Sequence, residues 1–327
     1  MAETIVDILR RLEVREMTLG DFPLVAEGTS VGEVCVLLES RGRSAAVVEK
    51  EGRVTGIFTQ RDLLYRTADG VLDLDAPIET VMTREPRTFH AERPLAEALA
   101  TMMEGGFRQL PLVDDGERPR GLLTIRDVLT FIARRFPRRP STCLHASIRC
   151  WPRRRAPEMR CPFCGSDNIQ GSELCESCGA ELAGLDIPEA GDGVGGRLLT
   201  DRVADLELSP ALTLPPAASV ADALALMRRE RHGCVLVVEE GVLCGIFTER
   251  DVLSRLVLAR RDATATPLSA VMTPDPVRLE AGDPPAFAIH SMVARGLRHL
   301  PVLSGAQLLG FVSVRNILRY LRQDLLA

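Results

Sequence analysis

"GIFTQRD" runs from Gly56 to Asp62 and "GIFTERD" from Gly245 to Asp251, one phrase that differs at a single position. Two weaker copies follow, "GLLTIRD" from Gly121 to Asp127 and "GFVSVRN" from Gly310 to Asn316. In each half the second copy begins 65 residues after the first, and the halves lie 189 residues apart. Other stretches keep the same register: "VMT" at Val81–Thr83 recurs at Val271–Thr273, and "RQLPLV" from Arg108 matches "RHLPVL" from Arg298. Independent segments that share one spacing identify an internal repeat, here two units in each half.

Each unit follows one local grammar of helix, strand, strand and helix. "SVADALALMRRER" from Ser219 has helical period, with Val220, Ala223, Leu224 and Met227 on one face. An apolar run from Cys234, the turn Glu239-Glu240-Gly241 and a second run from Leu243 to Phe247 read as a hairpin. A final helix begins after the hydroxyl of the phrase. A unit of roughly 60 residues has a marginal core alone, so it is expected to pair with a neighbour.

At 327 residues the chain has room for about two or three domains. An apolar share of 46% supports ordinary cores, and no apolar run approaches the ~18 residues of a membrane span. "MAETIVDILRRLEVRE" carries acids early and lacks a continuous apolar segment, so it does not read as a signal peptide. A net charge of −5 argues against a globally basic nucleic-acid binder. Nine cysteines, four of them in paired CxxC, suit metal binding in a reducing cytoplasm better than a disulfide framework.

Within the phrase, Thr59 ends a strand and Asp62 stands three residues on, the spacing of a helix cap and its reciprocal acid. Capping explains the hydroxyl and the acid but not the arginine that precedes position four of the helix start in every copy, Arg61, Arg126, Arg250 and Arg315. A cation there is mildly unfavourable to a helix N-terminus. A hydroxyl, a short carboxylate and an arginine at a helix start suit a ribose phosphate, the acid accepting from ribose hydroxyls and the arginine meeting phosphate. Both readings can hold together.

The four units resemble CBS domains, regulatory modules that pair into Bateman modules. The resemblance rests on the repeated phrase, on the "LPLV" and "LPVL" strands and on "VMT", and it covers nearly all the chain outside the middle. It implies an α+β fold of four CBS repeats (βαββα type) paired into two Bateman modules: residues 1–136 hold repeats 1 and 2, and residues 198–327 hold repeats 3 and 4. It also implies clefts that bind adenosine-containing ligands: AMP, ADP, ATP or an S-adenosyl compound. The positions carried over are Thr59, Arg61 and Asp62; Thr124, Arg126 and Asp127; Thr248, Arg250 and Asp251; and Ser313, Arg315 and Asn316. Arg108, Arg298 and His299, beside the first strand of their units, are further candidate phosphate contacts, and His299 reads equally well as a satisfied edge histidine. In the fourth copy Asn316 replaces the acid, which puts its ribose contact in question.

Residues 137–197 break the pattern as an insert. Arg134 to Arg160 hold nine arginines and Trp151 with one acid, Glu158, followed by a cysteine cluster at 158–183 and a Gly-rich acidic connector. Cys161, Cys164, Cys175 and Cys178 form two CxxC pairs ten residues apart, each followed by glycine. This pattern completes a closed tetrahedral site for structural Zn²⁺ and resembles a zinc ribbon, with iron as a second choice. Cys143, His145 and Cys150 fit no familiar ligand spacing, while Cys35, Cys234 and Cys244 sit in apolar stretches as small core residues.

The expected function is therefore a non-catalytic cytoplasmic sensor that binds an adenine nucleotide and relays its state to a protein partner. No nucleophile elbow, P-loop, dinucleotide fingerprint or HExxH helix is present, and no enzyme activity is expected. The alternative is a nucleic-acid-associated regulator, the arginine-rich insert meeting phosphates and Trp151 stacking on bases. A solvated linker is the plainer reading of that insert. Intramolecular stacking of the two modules and dimerisation between chains are equally compatible with four repeats, and no membrane association is expected.

Overall fold

The computed structural model describes residues 5–70, 72–135, 158–164, 166–169, 174–180, 182, 197–198 and 200–325. Most of the arginine-rich tract, together with Cys143, His145 and Cys150, lies outside the described residues.

Each repeat builds one small sheet. In the first, the short strand Leu24–Ala26 runs parallel to Ala45–Lys50, which pairs antiparallel with Arg53–Thr59. Thr83–Arg84, from the start of the second repeat, then adds as a fourth strand beside Arg53–Thr59. The third repeat has the same order with Thr213–Leu214, Cys234–Glu239 and Val242–Thr248, and Thr273–Pro274 from the start of the fourth repeat adds beside it. The second and fourth repeats have three strands each, led by Phe89–His90 and Leu279–Glu280. These brief lead strands make each unit βαββα and are too short to carry a period-2 signature. Glu240 and Gly241, both at positive φ, form the tight hairpin turn expected between the two runs.

The helices follow the apolar period closely. Val220–Arg229 starts at Ser219, whose hydroxyl accepts from Asp222 N–H, and buries Val220, Ala223, Leu224 and Met227. Val31–Ser40 has the same cap from Ser30 and Glu33. One helix departs from expectation. After Glu249–Asp251 the chain continues as a π-helical turn over Val252–Val257, whereas Gln60–Ala68 in the first repeat is regular. Within that wider turn Arg255 donates to Val271 O at 2.9 Å and lies 3.4 Å from Asp251.

Sheet packing holds repeats together within each half. Ala45, Val47 and Ile57 meet Leu122 in the first half. Cys234, Leu236 and Ile246 meet Leu303 and Phe311 in the second. The larger cores run across the halves. Helix Gln60–Ala68 lies on Val220–Arg229, joining Phe58 and Leu63 of repeat 1 to Leu224 and Phe247 of repeat 3. Helix Ile125–Arg135 lies on Pro285–Arg295, joining repeats 2 and 4. Full burial of such a side chain stabilises by about 1.5–3 kcal/mol, so these helix-side cores hold the halves as one body. The ring order is repeat 1, 2, 4, 3, and the two modules stack within the single chain.

The insert forms its own island. Glu158–Arg160 pairs antiparallel with Asp167–Ile169, and Cys161, Cys175 and Leu182 share a separate small core. Among the described residues no helix is long and apolar enough to cross a membrane.

Candidate functional site

The phrase sits where a strand turns into a helix. Thr59 is extended, and its hydroxyl accepts from Arg61 N–H at 3.2 Å and Asp62 N–H at 3.3 Å. Asp62 Oδ2 accepts in return from Thr59 N–H at 2.8 Å and from the Thr59 hydroxyl at 2.7 Å. Thr124 with Asp127 and Thr248 with Asp251 repeat the arrangement. Capping is therefore realised in these copies. Burial holds the Asp62 and Asp251 carboxyls above their ordinary range despite the threonine hydrogen bonds. A carboxylate oxygen accepts more than one donor, so room remains for hydroxyls of a ligand.

The glycine of the phrase has a packing cause. A Cβ on Gly56 would stand 2.2 Å from Met82 Sδ, and one on Gly245 2.3 Å from Met272 Sδ. The methionine of each "VMT" thus lies against the glycine of the phrase, and the threonine behind it reaches the site: Thr83 donates to Asp62 Oδ1 at 3.2 Å.

The fourth copy is built differently. Asn316 Oδ1 accepts from Ser313 N–H at 2.7 Å and from the Ser209 hydroxyl at 3.3 Å, while its Nδ2 donates to Glu207 O. Ser209 also exchanges both backbone hydrogen bonds with Phe311, each at 3.0 Å. An amide donates to Glu207 O while accepting from Ser313, which an ionised carboxylate cannot do, and this accounts for asparagine where the other copies carry aspartate.

Three clefts gather most of the phrase residues, while Asp127, Thr248 and Asp251 line none of the three. One is lined by Thr59, Arg61, Asp62, Thr83 and Arg108 with apolar walls from Ile57, Pro86, Phe107 and Pro111. A second holds Thr124 and Arg126 with Arg108, Arg250 and Arg298, and reaches from Phe22 and Pro23 to Met292 and Leu297. The third holds Ser313, Arg315 and Asn316 beside His232, His299, Arg61 and Arg108. Arg126 and Arg315 cross between repeats 2 and 4 in matching fashion. Arg315 donates to Gly106 O at 2.8 Å, and the Arg126 guanidinium lies against Gly296, each glycine being the left-handed cap of a helix.

The clefts open on a common centre crowded with guanidinium groups. Glu249, 1% exposed, lies 2.6 Å from Arg108, 3.4 Å from Arg61 and 3.8 Å from Arg298. Burial opposes its ionisation, but Arg108, Arg298 and Arg61 outweigh that and hold the carboxyl well below its usual range. Arg298 also donates to Gln60 Oε1. Burial lowers Arg298 and Arg315 to about 10, with neighbouring arginines adding to the effect, and both remain charged at neutral pH. His299 is pushed down to about 3, first by burial and then by Arg108. It is neutral, lies edge-on to Phe311 at 5.8 Å, and contributes no cation.

A model of the CBS domain matches residues 14–69, 78–134, 203–258 and 268–323, more than half the chain. The chain belongs to the CBS-domain family. Among its relatives, the CBS domain-containing protein CBSCBSPB1 of Arabidopsis thaliana is 26% identical over 291 residues, covering 88% of this chain and 50% of the relative. An uncharacterised 33.4 kDa protein in the ribosomal RNA operon of Thermofilum pendens is 28% identical over 253 residues, 76% of this chain and 67% of its own. This CBS-domain protein spans about half the length of the Arabidopsis relatives it matches. The solved protein MJ1225 of Methanocaldococcus jannaschii, described as a candidate archaeal homologue of g-AMPK, shares the fold. Its TM-score is 0.66 at 16% identity, with 95% of this chain and 100% of that one covered. No catalytic family is indicated.

For a CBS-domain protein the insert is the added feature. Cys161, Cys164, Cys175 and Cys178 have their sulfurs within 4.8 Å of one another, with 3.7 Å between Cys161 and Cys178 and 3.5 Å between Cys164 and Cys175. Ligands at ~2.3 Å around a tetrahedral ion stand about 3.8 Å apart, so four thiolates here fit such a metal. Ser166 Oγ lies 3.2 Å from Cys175 Sγ, and this hydrogen bond draws Cys175 toward its thiolate. Cys35 and Cys234 are buried core residues as expected, whereas Cys244 is partly exposed and donates to Val237 O at 3.2 Å.

Of the residues that meet at the centre, Arg61, Arg108, Arg298 and His299 stand out in the sequence, whereas Gln60 and Glu249 do not. Gln60 and Glu249 are the single altered position of the repeated phrase, and that alteration was the available signal. Their surroundings differ in step. Ser44, whose hydroxyl accepts from Gln109 at 3.1 Å, stands where Gly233 stands in the other half. A Cβ on Gly233 would lie 2.9 Å from His299 and 3.0 Å from Glu249.

Proposed function

We propose that this CBS-domain protein is a non-catalytic sensor of adenosine-containing ligands. The observation that carries this reading is the first cleft, where Thr59, Asp62, Arg61 and Arg108 converge beside Pro86, Phe107 and Pro111. The apolar walls take the adenine, the desolvated Asp62 accepts from ribose hydroxyls, and Arg61 with Arg108 meets the phosphate. Thr124 and Arg126, joined by Arg250, serve the second cleft, and Ser313 with Arg315 the third; Asp127, Thr248 and Asp251 stand behind these as the caps of their helices. In the third, Asn316 serves chiefly to anchor Glu207 and Ser209. Arg298 belongs to the shared phosphate end, and His299 packs there as a neutral ring.

Because the clefts lie between repeats, a ligand that fits one packing better than another shifts the relative arrangement of the halves. That shift is relayed to a protein partner. The four cysteines hold a structural Zn²⁺ that folds the insert, supplying the energy so small an island lacks.

Thermal melting of the full chain with AMP, ADP, ATP, S-adenosylmethionine and GMP tests this reading. At a hundredfold excess over Kd a ligand stabilises by about 2.7 kcal/mol, so at least one adenosine compound raises the midpoint while GMP does not. A midpoint indifferent to every adenosine compound contradicts it.

A further inference from the structure

We infer that Glu249 sets which adenosine ligands the ring accepts, acting as a built-in anion on the guanidinium groups that a phosphate tail would occupy. The inference rests on the nucleotide reading above and assigns the ligand class more closely: few phosphates or none. Arg61 and Arg108, which line the first cleft, already share the Glu249 carboxylate at 3.4 and 2.6 Å, and Arg298 lies 3.8 Å away. Arg61 and Arg108 line the third cleft as well. A tail entering either cleft therefore approaches guanidiniums held by a carboxylate it must displace or face.

The sister position shows that the fold does not require this charge. Gln60 occupies it in repeat 1, uses its amide oxygen to accept from Arg298, and leaves the backbone pairing unchanged: Gln60 N–H donates to Ser44 O and Glu249 N–H to Gly233 O, both at 3.1 Å. Gly233 is shaped for the acid, since a side chain there would meet both Glu249 and His299. Repulsion between Glu249 and a tail grows with each added phosphate, because in a water-poor centre charges interact more strongly than in bulk. Adenosine carries no tail and is indifferent to it. A carboxylate kept only to neutralise buried arginines would not discriminate among adenosine compounds.

Titrating adenosine, AMP and ATP without magnesium into the full-length wild type, Glu249→Gln and Gln60→Glu tests the inference. Glu249→Gln should leave adenosine unchanged, tighten AMP, and tighten ATP by tenfold or more. Gln60→Glu should weaken ATP more than AMP. Affinity changes equal for all three ligands, or none at all, overturn the inference. If Glu249→Gln fails to fold, Gln60→Glu carries the test. If the wild type binds none of the three, the adenine reading fails separately. Pyrophosphate then decides: a larger melting shift for Glu249→Gln than for the wild type sustains the role of Glu249, and equal shifts overturn it.

Discussion

Met82 and Gly56 fit together as one unit: the methionine sulfur fills the space that a side chain on the glycine would occupy, 2.2 Å from its Cβ position. Two motifs 26 residues apart in sequence are thereby a single contact beside the ligand cleft. Gly56→Ala should destabilise the protein by ~1–3 kcal/mol through overpacking around buried Met82. Chemical denaturation measures it, and the double variant Gly56→Ala/Met82→Ala should recover part of the loss. Additive losses would show that the two side chains do not compete for this space.

Asn316→Asp should cost ~1–3 kcal/mol, because a carboxylate cannot donate to Glu207 O and would face it unpaired. The loss should be larger above the ordinary carboxylate range than below it, where a protonated acid regains a donor. Denaturation at two pH values reads the difference.

His299 predicts a pH slope. Its folded pKa, about 3, lies below the ordinary 6.5 because burial, then the charges of Arg108, Arg298 and Arg61, disfavour the cation, outweighing the opposite pull of Glu249. Between those values the unfolded chain binds the proton and the folded one does not. Stability therefore falls on acidification from about 6.5 downward, by up to ~1.4 kcal/mol per pH unit for this group. Glu249 stays ionised in the folded chain through that window, and its own contribution begins to be lost as pH falls through the ordinary carboxylate range, where the unfolded chain takes up the proton. The difference between melting profiles of wild type and His299→Gln isolates the histidine, and the variant should show the flatter slope.

The metal site should be separable from the ring. Metal analysis is expected to find one zinc per chain, and Cys175→Ser to lose essentially all of it. The ring's melting transition should stay in place, since Cys161, Cys175 and Leu182 form a core of their own. A ring that melts early without metal would show that the insert braces the repeats.

Much of this architecture is legible in the residues themselves. Repeat spacing locates the four units, the Val220–Met227 stripe marks a buried helix face, and the CxxC pairs place the four sulfurs together. Which repeats share a helix-side core is not legible. An apolar stripe such as that of Gln60–Ala68 states only that it is buried, and its partner Val220–Arg229 is chosen by the closure of the whole ring. The π-turn at Val252–Val257 is likewise invisible, because "RDVLSRLVLARR" has ordinary helical periodicity. Glu249 escaped notice for a different reason: a helix start accepts glutamate readily, and its function depends on arginines brought in from repeats 1, 2 and 4.

Calorimetric titration of AMP into the wild type and Asp62→Ala, both shown to be folded by circular dichroism, addresses the central claim most directly. The wild type should bind saturably, and the variant should lose one class of site or bind there at least ~tenfold more weakly, about 1.4 kcal/mol. Superimposable isotherms would contradict the account and leave Asp62 with the capping of its helix alone.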